Sequence, residues 1–297
     1  MGGRFRGAVE SDAMNTRMIL DCAGRPLALS RPCVMGILNV TPDSFSDGGR
    51  FDDPGRALEH ALAMVEEGAD IIDVGGESTR PGAPVVAAAE ELRRVVPVIE
   101  ALARRVPVPL SVDTSEPAVM RAACGAGACF INDVRALRRP GALEAARDCA
   151  VPVCLMHMQG EPQTMQDAPT YDDVTIGVRD WLRERVAACE AAGIPRSRLL
   201  LDPGFGFGKT QDHNLTLLRD LGVLAGEGLP VLVGLSRKSV LGALSGRPVG
   251  ERLAASLAAA LAAVQKGACV VRVHDVGATV DALRVWQAVM SPVHRSG

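Results

Sequence analysis

Carboxylates, two carboxamides, a lysine and an Arg-x-His step recur at one kind of place in this chain, the polar end of a short apolar run. In order they are Asn39, Asp73, Asp113, Asn132 with Asp133, His157, Asp202, the segment Ser236-Arg237-Lys238-Ser239, and Arg272 with His274. One polar residue at a strand end commonly caps a helix or satisfies a loop. Capping alone does not select this mixture. Lys238, Arg272, His274 and Asn39 suit a polyanion and its metal. Asp113, Asn132 and Asp202 suit a ring edge with adjacent N–H donors, since one carboxylate accepts two such bonds at once. The set asks for a nitrogen heterocycle on one side and a phosphate on the other.

These residues need a scaffold that gathers strand ends. Eight short apolar runs recur, near 34–38, 71–74, 110–112, 130–133, 151–156, 199–202, 231–235 and 269–274. Several follow a helix-like stretch that stops at a glycine, the residue expected in a left-handed helix cap. The longer helical stretches are 54–67, 89–102, 173–191 and 250–266, with Asp53 before Pro54 as an expected cap. Eight strand–helix units in alternation predict an α/β fold, a (β/α)8 TIM barrel in a single domain spanning 18–297. Residues 1–17 read as a disordered or vector-derived N-terminal extension. Three connections are long, 40–53, 75–88 and 157–172, and all leave a strand's C-terminal end, where barrel active sites form.

Composition agrees. Of 297 residues, 47% are apolar but only 3% aromatic, so the core must be aliphatic. That suits buried parallel strands. A net charge of −3 gives no footprint for nucleic acid. No apolar stretch reaches the about 20 residues of a membrane span. The N-terminus lacks the apolar run of a secretory signal. The eight cysteines contain no Cys-x-x-Cys pair and read as reduced thiols of a cytoplasmic protein.

The motifs themselves resemble the dihydropteroate synthase family. Met35-Gly36-Ile37-Leu38-Asn39-Val40-Thr41-Pro42-Asp43-Ser44-Phe45-Ser46-Asp47-Gly48-Gly49 is similar to that family's first signature. Glu77-Ser78-Thr79-Arg80-Pro81-Gly82-Ala83 is similar to its second, and Asp202-Pro203-Gly204-Phe205-Gly206-Phe207-Gly208-Lys209 to its strand-six signature. The segments Leu155–Gly160, Ser236–Ser239 and Arg272–Val276 also match, in order, and the resemblance covers about residues 30–285. Two shorter similarities weigh less. Gly206-Phe207-Gly208-Lys209-Thr210 looks like the end of a phosphate-binding P-loop, but Pro203 stands where that motif needs glycine. His157 invites either a chemical role or support of its loop.

The resemblance implies condensation of 6-hydroxymethyl-7,8-dihydropterin diphosphate with p-aminobenzoate, through a cation on the pterin methylene. Asp113, Asn132, Asp202, Lys238 and Arg272 would bind the pterin. Asn39, Thr79, Arg272 and His274 would bind the diphosphate, with Asn39 on Mg²⁺. Phe45, Arg80, Pro81, Phe207 and Ser239 would line the p-aminobenzoate site. Asp113, Lys238, Arg272 and Asn39 would carry the catalysis, and Asp43 would join the first mobile loop. Glu116 stands where many relatives carry a basic residue, and is expected to open a helix. A homodimer and sulfonamide sensitivity are further implications. An inactive pterin-binding paralogue, or a methyltetrahydrofolate-type methyltransferase on the same barrel, is the alternative.

Overall fold

The computed structural model describes residues 18–41, 54–78, 86–160, 164–165 and 168–291. The described residues begin with a hairpin, β1 (Ile19–Cys22) and β2 (Arg25–Ala28), which the sequence pattern did not reveal. Its turn places Ala23 at φ 52° and Gly24 at φ 80°, and Gly24 N donates to Asp21 Oδ1 at 2.6 Å. Two successive positive φ angles are what a two-residue hairpin turn requires. Leu20, Cys22, Leu27 and Leu29 are buried, and Arg25 Nη1 donates to Val108 O at 3.2 Å, just before β5. The hairpin therefore lies at the N-terminal end of the barrel, opposite the rim that bears the candidate residues. Four-residue strands this short give too little alternation to be read from sequence.

The barrel follows. Its strands are β3 (Cys33–Asn39), β4 (Ile71–Gly75), β5 (Leu110–Asp113), β6 (Phe130–Asp133), β7 (Val153–Met156), β8 (Leu199–Asp202), β9 (Val231–Val233) and β10 (Ala268–Val273). They run parallel in sequence order, and β10 pairs back onto β3 to close the sheet. The helices are α1 (Pro54–Glu66), α2 (Ala88–Ala103), α3 (Pro117–Ala126), α4 (Ala142–Cys149), α5 (Val174–Ala191), α6 (Gln211–Arg219), α7 (Gly222–Ala225), α8 (Ser239–Ser245), α9 (Leu253–Gln265) and α10 (Val276–Met290). The expected TIM barrel is thus the observed fold. Strands β6, β7 and β8 are buried at every position, as parallel strands between a packed lumen and a helical layer must be.

Local signals account for the helix ends. Asp173 caps α5, accepting from Thr175 N at 2.9 Å and Ile176 N at 3.0 Å. Gly127 ends α3 at φ 118°, a left-handed cap. Glu116 opens α3 as expected, and its carboxylate pairs with Arg139. The helix read over 250–266 begins instead at Leu253, after a 3₁₀ turn at Val249–Glu251. Gly250 inside that stretch disfavours an α-helical start there. The cap expected at Asp53 lies outside the described residues. All eight cysteines are free. Among the described residues no helix is long and apolar enough to cross a membrane.

Candidate active site at the C-terminal rim of the barrel

The register of the closed sheet brings the strand-end residues to one rim. Arg272 projects from β10, and its guanidinium spans two acids. Nε donates to Asp73 Oδ2 at 2.6 Å and Nη2 to Asp113 Oδ2 at 2.7 Å. Asn132 Nδ2 donates to the same Asp73 oxygen at 3.0 Å. Asp73 itself is completely buried in β4, and its Oδ1 has no hydrogen-bond partner among the described residues. Asn39 and Asp113 stand on either side of Gly75. A methyl group on Gly75 would lie 3.7 Å from Asp113 Oδ2 and 3.8 Å from Asn39 Oδ1, so the glycine keeps open the space between them.

Across the lumen, Asp202 ends β8, with Oδ1 accepting from Gly204 N at 2.7 Å. Lys238 Nζ donates to Phe205 O and lies 4.2 Å from the centre of the Phe207 ring. The backbone is bent to aim that lysine. Arg237 before it sits at φ 58°, rare for a residue with a side chain. Three contacts hold it there: Arg237 N donates to Ser256 Oγ at 3.0 Å, Arg252 Nη1 to Arg237 O at 3.0 Å, and the Arg237 side chain pairs with Asp275. His274 is set by Ser236, whose Oγ accepts from His274 N at 3.2 Å and lies 3.1 Å from Nδ1. An apolar wall of Val134, Met156, Met158 and Met165 packs against Phe207 beside these charges.

The profile of a family described as "Pterin binding enzyme" matches residues 35–274. The chain is also 56% identical over 274 residues to the dihydropteroate synthase of Escherichia coli K12, covering 92% of this chain and 97% of that protein. The chain belongs to the dihydropteroate synthase family. Solved structures of that family agree with its fold. The Xanthomonas albilineans dihydropteroate synthase with 4-aminobenzoic acid superposes with a TM-score of 0.88 at 59% identity, covering 92% of this chain and 99% of that one. The same organism's enzyme in complex with 7,8-dihydropteroate gives 0.85 at 56% identity, covering 92% of this chain and 100% of that one.

At this rim the structure gathers many of the residues expected from sequence. Asn39, Asp113, Asn132, Asp202, Lys238, Arg272 and His274 meet at the rim as expected. Asp133 does not: β6 alternates, and its carboxylate instead accepts from Arg135 N at 2.8 Å, Leu137 N at 2.7 Å and Ser115 Oγ. Ser239 is the first residue of α8 and is exposed. Asp43, Phe45, Thr79, Arg80 and Pro81 lie outside the described residues. Asp73 stood in the sequence pattern but received no role, since only the closed barrel brings Arg272 across to it. The methionines of the apolar wall gave no signal, because a strand-end Met reads as core.

His157 sits as a support of its loop, with Nδ1 2.9 Å from Lys209 Nζ. Burial, then the charge of Lys209, drops its pKa to about 2, so it stays neutral. Its ring packs edge-on against Trp181 at 4.9 Å between centroids.

Burial also tunes the charged rim. It pushes Asp113 up to about 7 against the pull of Arg272. Burial raises Asp202 too, opposed by the Gly204 N–H and by Lys238. It lowers Lys238 to about 8, opposed by Asp202. Arg272 loses solvation as well, but Asp73 and Asp113 more than offset that and hold it firmly charged. A carboxylate at Asp113 is lost as pH falls through about 7, and an ammonium at Lys238 is lost as pH rises through about 8. The expected pH profile of kcat/KM for the pterin substrate is therefore a narrow bell centred between those values. Asp113→Asn should remove the acid limb and leave the alkaline one. An acid limb unchanged in that variant would show that another group sets it.

Proposed function

We propose that this chain catalyses the joining of 6-hydroxymethyl-7,8-dihydropterin diphosphate to p-aminobenzoate, giving 7,8-dihydropteroate and pyrophosphate. The observation that carries the reading is the Arg272 bridge between Asp73 and Asp113, set opposite Asp202 and Lys238. In the reaction, the bond from the pterin methylene to the diphosphate oxygen breaks, and the electron pair leaves with pyrophosphate. The aniline nitrogen then bonds to the methylene cation and gives up one proton. The amine is neutral near pH 7, so it needs no base to become a nucleophile. Charge separation is the costly event, and a site answers it best with fixed charges already in position.

Asp202 and Asn132 would take the N–H donors of the pyrimidine edge, and Lys238 the carbonyl and nitrogen on the other. Asp113 would stabilise the developing cation. Arg272 would cover the pterin face and, with His274, meet the departing diphosphate; Thr79 would join them there. Phe45, Arg80, Pro81, Phe207 and Ser239 would receive the aminobenzoate. The Val134–Met156–Met158–Met165 wall beside Phe207 supplies an apolar surface for a flat ring.

Mg²⁺ belongs to this reading as an ion carried by the diphosphate. Mg²⁺ is commonly held by one or two protein oxygens plus substrate phosphates rather than by an all-protein cage. The space at Gly75 beside Asn39 Oδ1 fits that, and the carboxamide oxygen of Asn39 would be the protein's ligand. Bound there, the ion would neutralise charge on the leaving pyrophosphate.

A homodimer in the cytoplasm completes the proposal. The free thiols suit a reducing compartment. Leu244 and Leu253 are 52% and 42% exposed beside an apolar groove of about 240 Å³ between α6, α8 and α9, a surface that a second copy would cover.

The test is incubation of the purified protein with the pterin diphosphate, p-aminobenzoate and Mg²⁺. Dihydropteroate and pyrophosphate should appear in equal amounts, stop on chelation, and be inhibited by a sulfonamide such as sulfamethoxazole. Absence of product from folded protein that still binds pterin would overturn the proposal.

A further inference from the structure

One buried lysine takes no part in the mechanism above. Lys209 is 3% exposed, and its Nζ meets three neutral acceptors: His157 Nδ1 at 2.9 Å, Gly204 O at 2.9 Å and Phe207 O at 3.0 Å. Burial pulls the Lys209 pKa well down, opposed by Asp202, and an amine in either state can donate to these acceptors, an ammonium to all three at once. His157 then accepts at Nδ1 and carries its proton on Nε2.

The two carbonyls are the ends of one turn. Phe207 N donates to Gly204 O at 3.1 Å, and Gly206, third in the turn, sits at φ 79°, which glycine adopts freely. The middle carbonyl, Phe205 O, is taken instead by Lys238. The turn lies directly on the backbone of His157: a methyl on Gly204 would come within 1.9 Å of His157 O. His157 N in turn donates to Asp202 O at 2.9 Å. Tyr171 Oη donates to Gly208 O at 2.8 Å, and Gly206 N to Asn214 Oδ1 at 2.7 Å. A segment with glycine at 204, 206 and 208 has unusual freedom to lose, and the Lys209 hydrogen bonds at both ends of the turn restrict it.

We propose that Lys209, with His157 Nδ1 as its acceptor, is a positioning group for the aminobenzoate half of the site: it fixes the Gly204–Phe207 turn, and through it the Phe207 ring. This rests on the synthase reading above. Lys209 would act without touching substrate, since its Nζ is turned onto His157 and two carbonyls. It acts on the one segment that joins the pterin carboxylate, Asp202, to the ring surface where the second substrate would lie.

The experiment compares wild type with Lys209→Met, His157→Asn and His157→Leu. Methionine fills the lysine's space without its donors. Asn offers an oxygen close to where Nδ1 accepts, and Leu offers none. Lys209→Met should raise KM for p-aminobenzoate about tenfold, because small misplacements of a binding group are costly. KM for the pterin diphosphate should stay within about twofold. Hydrogen exchange at the amides of 205–208 should quicken while the barrel strands keep their protection. His157→Leu should behave likewise, and His157→Asn should stay near wild type. Unchanged aminobenzoate KM and exchange in Lys209→Met would overturn the proposal, as would equal rises in both KM values or identical behaviour of the two His157 variants. If Lys209→Met does not fold, the His157 pair decides. A wild type that makes no dihydropteroate would sink the synthase reading, and exchange at 205–208 would still decide whether Lys209 holds the turn.

Discussion

Arg272→Ala will lower kcat/KM for the pterin diphosphate by about 10²–10³, the scale of removing a charged partner from a desolvated catalytic site. The change strips Asp113 of its partner at 2.7 Å and Asp73 of its partner at 2.6 Å. Asp73 is completely buried and, among the described residues, keeps Asn132 as its hydrogen-bond partner. Breaking a buried pair by removing one member leaves the other charge uncompensated, so about 3 kcal/mol of stability should go as well. Urea unfolding would measure the second loss and steady-state kinetics the first. Arg272→Lys will not rescue turnover. An ammonium is a single point charge and cannot reproduce the fork that meets two acids at once. Turnover near wild type in Arg272→Lys would mean that the bridge serves packing alone.

The second large effect is expected at Asp202. Asp202→Asn keeps an oxygen for Gly204 N, now 2.7 Å from the carboxylate, so the turn should survive. It removes the charge and replaces one acceptor with a donor that faces the pterin's own N–H groups. Pterin binding should weaken by about 2–4 kcal/mol, or roughly 30- to 1000-fold in Kd. Burial already raises the Asp202 pKa, so the neutral Asn is easier to bury and thermal stability should not fall. Titration calorimetry with a pterin analogue checks the binding, and a melting curve checks the fold. Wild-type turnover in this variant would remove Asp202 from the pterin site and, with it, the reading of β8.

Much of this was written in the residue order. Alternating helical stretches and apolar runs specify strand–helix units, because an apolar strand must be covered on both faces and a helix does so locally. The polar residue that ends each run marks the rim, since strand ends are where backbone and side chains meet solvent. Asn39, Asp113, Asn132, Asp202, Lys238, Arg272 and His274 were legible for that reason. The helical stretch 173–191 was legible too, and the structure makes its first residue, Asp173, the cap of α5.

What the sequence could not say concerns contacts between distant residues. Arg272 and Asp73 are 199 positions apart, and only closure of β10 onto β3 brings β4 within reach. Asn132 and Asp133 are neighbours of equal polarity, yet the pleat of β6 sends one to the rim and the other to hold a loop. The β1–β2 hairpin escaped notice because its strands are short and its packing partners belong to the barrel's base. Lys209 stood at the end of a P-loop look-alike that Pro203 argued against, and no role was assigned to it. Tertiary structure turned it inward, onto His157 and two carbonyls. Local order sets which groups are available. Which groups share a low-dielectric space, and so which charges must be paired, is decided when the sheet closes.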